Sequence, residues 1–235
     1  EEFHPGTGKI LAEGGRAGDF EFRGLRGEGH GEFHPVAGIR PLLQVHLRQQ
    51  HALLADLTRQ VGGDQVEVID LIGPNGDPHH FEPKPDDLKR ADDAKLYLVA
   101  GMGLEGYLPK LKAIIANRAT LIEVGATLPA LEGQCDHEGH DHAHKHEIDP
   151  HWWQSIDLFR RATGIVTEAL VTVSPENAVI FRKNSEAYRT ELDALERWAK
   201  KEISKIPRDK RHLATAHAAF NYFCKEFGFT AHPVQ

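Results

Sequence analysis

Sulfur is scarce in this chain, with 2 cysteines and 1 methionine among 235 residues. Two thiols cannot build a cysteine-rich zinc site or a disulfide framework. Lys/Arg blocks are missing, and the formal net charge is −7, from 28 basic and 35 acidic residues. That excludes the basic footprint of a nucleic-acid binder. No apolar run approaches the ~18 residues of a membrane-spanning helix. The basic start, apolar core and small-residue cleavage site of a secretory signal are also missing. There is no G-x-S-x-G, no P-loop and no H-E-x-x-H, because Asp141 stands where the second histidine would be needed after His137-Glu138. What abounds is histidine, at 16 residues. Histidine is the commonest metal ligand, so any metal here rests on imidazole and carboxylate.

Residues 1–43 are rich in Gly, Arg, Glu and His and have no helical or strand period. Glu-Phe-His-Pro occurs at Glu2–Pro5 and again at Glu32–Pro35, too short a match to define a structural repeat. From Pro41 the chain is periodic. Ala52–Val61 reads as a helix ended by Gly62-Gly63, and Gln65–Ile72 as a buried strand. Gly73–Pro78 is a loop by turn chemistry and Pro85–Ala94 a short helix. Lys95–Ala100 (strand), Tyr107–Asn117 (helix) and Thr120–Val124 (strand) follow. This alternation predicts an α/β fold with a parallel sheet covered on both faces. Leu128–Ile148 reads as a loop and Asp157–Val171 as a helix.

The longest helix is expected to be capped by Ser174, to open at Pro175 and to stop at Pro207. Tyr188, Leu192, Leu195, Ala199, Ile203 and Ile206 form its apolar stripe. His212–Thr215 then reads as a strand, Ala218–Phe227 as a helix and Phe229–Val234 as a strand. Such a βαβ beginning has no sheet to join, so the expectation is a fragment or a chain cut short. Nothing pairs Cys135 with Cys224, and Cys224 reads as a small buried apolar residue.

Gly101-Met102-Gly103-Leu104-Glu105-Gly106 matches the G-x-G-x-x-G dinucleotide fingerprint, with Glu123 about 20 residues on. A helix opening at the second glycine would put Pro109 in its second turn, at a cost of ~3 kcal/mol. Pro109 is comfortable only if the helix starts near Tyr107. The better reading is therefore a strand-to-helix loop, with an NAD-linked oxidoreductase as the enzyme alternative.

Three histidines stand at the ends of elements. His79 lies in Asp77-Pro78-His79-His80-Phe81, His151 in Asp149-Pro150-His151-Trp152-Trp153, and His217 in Thr215-Ala216-His217-Ala218-Ala219. In open α/β sheets ligands bind beside such loops. In each Asp-Pro-His, proline stiffens the backbone and the aspartate can orient the imidazole. Any one of them alone is more simply a histidine making one hydrogen bond. His80 could stand in for His79, and Phe81 and Trp153 read as packing anchors. His137, His140, His142, His144 and His146 crowd a loop among acids. That composition reads as a mobile, low-affinity metal-binding loop, with a simple polar loop as the alternative.

These motifs, in this order, resemble those of the zinc/manganese solute-binding proteins of bacterial ABC importers. The resemblance runs from about Leu53 to Gln235 and includes the long charged helix. It implies two α/β lobes joined by one linking helix, with the metal between them. Residues 44–173 would form the first lobe, with the His-rich loop at 135–148. Residues 174–207 would form the linking helix and 208–235 the start of the second lobe, incomplete here; 1–43 stay unassigned. Carried over by position, His79, His151 and His217 are the metal ligands, and the family's fourth ligand, a second-lobe carboxylate, is absent. Gln44–His51 does not resemble the family's first strand, nor does anything upstream, so a frameshifted or mis-assembled N-terminus is expected.

The resemblance implies a periplasmic or otherwise extracytoplasmic zinc receptor, not an enzyme, delivering Zn²⁺ to a membrane permease driven by an ATPase. Three imidazoles suit zinc, whereas manganese prefers oxygen. The His-rich loop, like that of the zinc-specific branch, would gather metal for the buried site. Ligand imidazoles must be neutral, so binding is expected to weaken as pH falls through ~6.5. A manganese receptor or a surface adhesin of the same family is the other alternative.

Overall fold

The computed structural model describes residues 43–47, 51–72, 79–81, 84, 93–115, 118–133 and 148–234. Four strands form one parallel sheet: β1 (Leu43–Leu47), β2 (Val66–Asp70), β3 (Leu96–Val99) and β4 (Thr120–Glu123), in the order β2-β1-β3-β4. Leu43 pairs with Val66, Val45 with Leu96 and Leu96 with Thr120. The order reverses beside β1, and such a switch point opens a crevice at the carboxyl ends of the strands.

Gln44–His51 does not resemble the family's first strand, yet Leu43–Leu47 is a central strand of the sheet and α1 (His51–Gly62) follows it. Alternation with Gln44 and His46 in a five-residue segment lacks the continuous apolar run expected of a strand buried in a parallel sheet.

Both faces of the sheet are covered. Leu96 and Leu98 of β3 belong to a core with Leu57, Val61, Val166, Leu170 and Phe181. Tyr97 and Val99, one residue out of phase, join Tyr107, Leu111 and Ile115 on the other face. That two-residue alternation is the pleat of a strand buried on both sides. Tyr107 precedes α2 (Leu108–Ile115), and Phe81 meets it edge-on at 5.7 Å. The helix expected at 85–94 falls mostly outside the described residues, as does the loop at 73–78.

The loop expected at 128–148 is bordered by paired backbone. β5 (Leu131–Glu132) and β6 (Ile148–Asp149) form an antiparallel ladder, two residues per strand and too short for any periodicity to announce. Residues 134–147, with the five clustered histidines and Cys135, lie outside the described residues.

α3 (Ile156–Val173) starts where the Ser155 hydroxyl accepts the Leu158 amide at 3.2 Å, which satisfies one of the helix's otherwise unpaired donors. Its buried face includes Leu158, Ala162, Val166 and Leu170. Buried Thr163 and Thr167 turn their hydroxyls onto the carbonyls of Phe159 and Thr163, at 3.0 and 2.6 Å.

The long helix differs from expectation in its start, its cap, its buried stripe and its end, which comes at Ile203 and before Pro207. Pro175–Asn177 forms a 3-10 turn, and α4 runs Ala178–Ile203. Ser174 is buried but caps nothing with its side chain, because its hydroxyl bonds Glu176 at 2.5 Å and Asn177 at 2.9 Å instead. The buried residues of α4 are Phe181, Ser185, Leu192 and Ala199. Leu195 and Ile206, assigned to the stripe, are exposed at 45% and 37%. A small polar residue, Ser185, takes a buried position because Thr167 of α3 shares its hydroxyl at 2.8 Å.

Beyond the helix, β7 (His212–Thr215) and β8 (Thr230–Pro233) pair in parallel as a sheet of their own, linked by α5 (Asn221–Phe227). α5 is three residues shorter than the expected Ala218–Phe227. It ends at Gly228, whose left-handed φ of 70° lets the Phe229 amide reach the Cys224 carbonyl at 2.9 Å. Cys224 is buried, and burial pushes its thiol up.

Candidate metal centre

Three turns at strand ends deliver three imidazoles to one place. His79 follows β2, His151 follows β6, and His217 follows β7. Their ring centroids lie 5.4 Å (His79 to His151), 5.5 Å (His151 to His217) and 6.3 Å (His79 to His217) apart. One ligand nitrogen from each falls within 4.8 Å of the others, and among the described residues this is the group so placed. His151 is buried, whereas His79 and His217 are exposed. His80 is exposed and outside the cluster.

His151 is the most completely oriented of the three. Asp149 Oδ1 lies 2.7 Å from its Nδ1 and accepts its backbone N–H at 2.9 Å. With the ring proton on Nδ1, Nε2 carries a free lone pair. That Nε2 is buried and has no hydrogen-bond partner. A buried unpaired acceptor is costly unless something fills it, and a cation shared with the other two imidazoles would fill it. Asp149 is itself buried, and its second oxygen accepts the Asn221 amide at 3.0 Å. Tyr222 Oη donates to the Asp149 carbonyl at 3.0 Å and accepts the Leu131 amide at 3.0 Å. The motifs point to Asp149 but give no hint of Asn221 or Tyr222, which arrive from 72 and 73 residues away.

The tryptophans fix the turn that carries His151. Trp152 is fully buried, and its indole N–H reaches the Ala100 carbonyl at 3.1 Å. Trp153 stands edge-on to the His151 ring at 5.3 Å. The indole bond thus ties this turn to the end of β3.

The glycine motif is a loop of another kind. Gly101, Met102 and Gly103 all have positive φ (77°, 56° and 82°), and α2 opens at Leu108, with Pro109 in its first turn. The Glu105 carboxylate takes the Ala100 and Gly101 amides at 2.8 and 3.0 Å. Burial pushes this carboxyl up to about 7. The backbone donors at the strand end are therefore engaged by the chain's own acid, and no helix N-terminus opens at the second glycine to hold a pyrophosphate.

A family model described as "ZnuA: Zinc-uptake complex component A periplasmic" matches residues 51–235. The manganese-binding lipoprotein MntA of Bacillus subtilis is 32% identical over 198 residues, which cover 82% of this chain and 61% of that protein. Among solved structures, a zinc-bound ZnuA deletion mutant is 27% identical with a TM-score of 0.71, covering 82% of this chain and 70% of that one. The periplasmic zinc-binding protein TroA of Treponema pallidum is 25% identical with a TM-score of 0.72, covering 82% and 66%. The chain thus spans about three fifths of the length of the curated relative it matches at 32% identity.

Proposed function

The chain belongs to the ZnuA family of periplasmic zinc-uptake components, and from that premise we propose that it captures a divalent metal ion, zinc by preference. The observation that carries this reading is the convergence of three imidazoles on one point, with buried His151 Nε2 left unpartnered. His79, His151 and His217 are the ligands in this account. Asp149 holds His151 in the tautomer that presents Nε2. Zinc takes nitrogen donors in a four-coordinate shell, and three imidazoles leave one position for water or a further ligand. The family consists of binding components rather than enzymes, so capture and release are the whole of the chemistry.

Delivery follows from the same premise. The receptor works outside the cytoplasm and hands its ion to an ABC permease driven by an ATPase. Residues 44–173 act as the first lobe, 174–207 as the linking helix and 208–235 as the start of the second. His137, His140, His142, His144 and His146 act as a loose collector of metal.

Manganese is the second reading, favoured by the name of the 32% identical relative. Against it stands the donor set, since hard manganese prefers carboxylate and carbonyl oxygen to imidazole. Thermal unfolding with added zinc, manganese or NADH separates the readings. A ligand at 100 times its Kd stabilises by ~2.7 kcal/mol, about 5–10 °C for a chain of this size. Zinc is expected to raise Tm by that amount, manganese by less and NADH not at all. A shift with NADH and none with either metal overturns the proposal.

A further inference from the structure

We propose that Asn221 and Tyr222 are positioning residues that latch the segment bearing His217 onto the Asp149–His151 pair, so that two of the three ligands are set together. The inference rests on the metal-receptor reading above and extends it to residues outside the ligand set.

Asp149 is buried, so its carboxylate cannot draw on water and needs protein donors for both oxygens. Oδ1 serves His151 twice, through the backbone N–H at 2.9 Å and ring Nδ1 at 2.7 Å. Oδ2 is taken by Asn221 Nδ2 at 3.0 Å. The same amide nitrogen reaches the Ala218 carbonyl at 3.4 Å, so each of its two hydrogens has an acceptor. With Oδ2 anchored, the carboxylate cannot turn about its bond, and Oδ1 stays on the imidazole. That keeps the proton on Nδ1 and the lone pair of Nε2 facing the site.

Asn221 lies four residues after His217, at the start of α5. The His217 turn is rigid in its own right, since its carbonyl accepts the Thr215 hydroxyl at 2.9 Å and the Ala219 amide at 2.8 Å. Fastening Asn221 to Asp149 therefore fastens His217 near His151. Tyr222 grips the main chain of the same aspartate. Its hydroxyl bridges the Asp149 carbonyl and the Leu131 amide, and Leu131 and Asp149 are register partners in the β5–β6 ladder. One hydroxyl thus holds both strands from which the His151 turn emerges.

The test uses the whole chain and two near-isosteric variants, Asn221→Leu and Tyr222→Phe. Zinc affinity is read by competition with a chelator of known Kd, with background from the His79→Ala/His151→Ala/His217→Ala variant. The tautomer of His151 is read in the metal-free chain from long-range ¹H–¹⁵N correlations of its ring. Asn221→Leu is expected to bind zinc ~10–100-fold more weakly, the usual effect of removing a group behind a metal ligand. Its His151 ring is expected to pass from one tautomer to a mixture. Tyr222→Phe is expected to keep the tautomer and lose several-fold in affinity. If Asn221→Leu does not fold, Asn221→Ser, too short to span the contact, is read in the same way.

Unchanged zinc affinity in the Asn221 variant, or weakened affinity with the tautomer intact, overturns the latch. Unchanged affinity in Tyr222→Phe removes Tyr222 from it. If wild type and the triple histidine variant bind zinc alike, the metal-receptor reading itself fails. Failure of the latch alone leaves that difference in place.

Discussion

Gly125 lies against the end of β3 so closely that a single methyl group distinguishes this packing from any looser one. A Cβ at position 125 would sit 2.5 Å from the Ala100 carbonyl oxygen and 2.9 Å from Trp152 Nε1. That carbonyl accepts two bonds, from the Gly125 amide at 2.8 Å and the Trp152 indole at 3.1 Å. Reaching an ordinary contact of about 3.4 Å requires a shift of about 0.9 Å, set by the 2.5 Å starting distance. Backbone and a buried indole must yield, not the tip of a flexible side chain. Each hydrogen bond is worth ~0.5–1.5 kcal/mol net, and each buried group left unpaired costs ~1–3 kcal/mol. Gly125→Ala is therefore expected to cost about 2–4 kcal/mol, lowering Tm by about 5–15 °C for a chain of this size.

Two controls separate collision from glycine entropy. Gly106→Ala meets nothing within 4 Å and has no positive φ, so it is expected to be neutral or slightly stabilising. Gly103→Ala also meets open space but at φ +82°, which costs ~1–2 kcal/mol. Thermal and urea unfolding of the metal-free proteins supply the order. A Gly125→Ala protein within about 1 °C of wild type, or one no worse than Gly106→Ala, refutes this close packing of Gly125.

Other outcomes follow from the same contacts. The Glu105 carboxyl rises from 4.5 to about 7 on burial, so the folded chain holds its proton more tightly than the unfolded chain. Its contribution to stability is full below pH 4.5 and is lost as pH rises through 7. The stability of wild type relative to Glu105→Gln should fall by about 1 kcal/mol from pH 6 to pH 8; a flat difference contradicts this. Thr167→Val removes the partner of buried Ser185 between α3 and α4 and should cost ~1–2 kcal/mol, with Thr167→Val/Ser185→Ala recovering part of it in a double-mutant cycle by urea unfolding. Asp149→Ala leaves the His151 amide, the His151 ring N–H and the Asn221 amide without their acceptor. It should weaken zinc ~10–100-fold in chelator competition, and an affinity within twofold of wild type removes Asp149 from the site.

Much of the fold is legible in the sequence because its signals are local. β-branched and apolar runs mark β2 and β3, and Gly62-Gly63 marks the end of α1. Pro109 alone is enough to turn the glycine motif from a nucleotide fingerprint into a loop, and α2 opens at Leu108. What stays hidden depends on distant partners. β1 is a strand because β2 and β3 flank it, whatever its own five residues suggest. Ser174 is spent on Glu176 and Asn177, a choice that no capping rule foresees. The exposure of Leu195 is decided by where α3 and α1 meet α4, and a 3.6-residue period cannot say that.

The site divides in the same way. Asp-Pro-His is readable because proline and aspartate act on the next residues along the chain. Asn221 and Tyr222 carry no such mark, since their partner Asp149 is 72 and 73 residues away.

His79, His151 and His217 together are expected to hold one zinc ion. Equilibrium competition titration of zinc and of manganese against chelators, on wild type and on the His79→Ala/His151→Ala/His217→Ala variant, tests it most directly. One tight zinc is expected in wild type, with its loss in the variant and manganese held at least ~10-fold more weakly than zinc. Tight zinc surviving in the variant, or manganese bound as tightly as zinc in wild type, contradicts it.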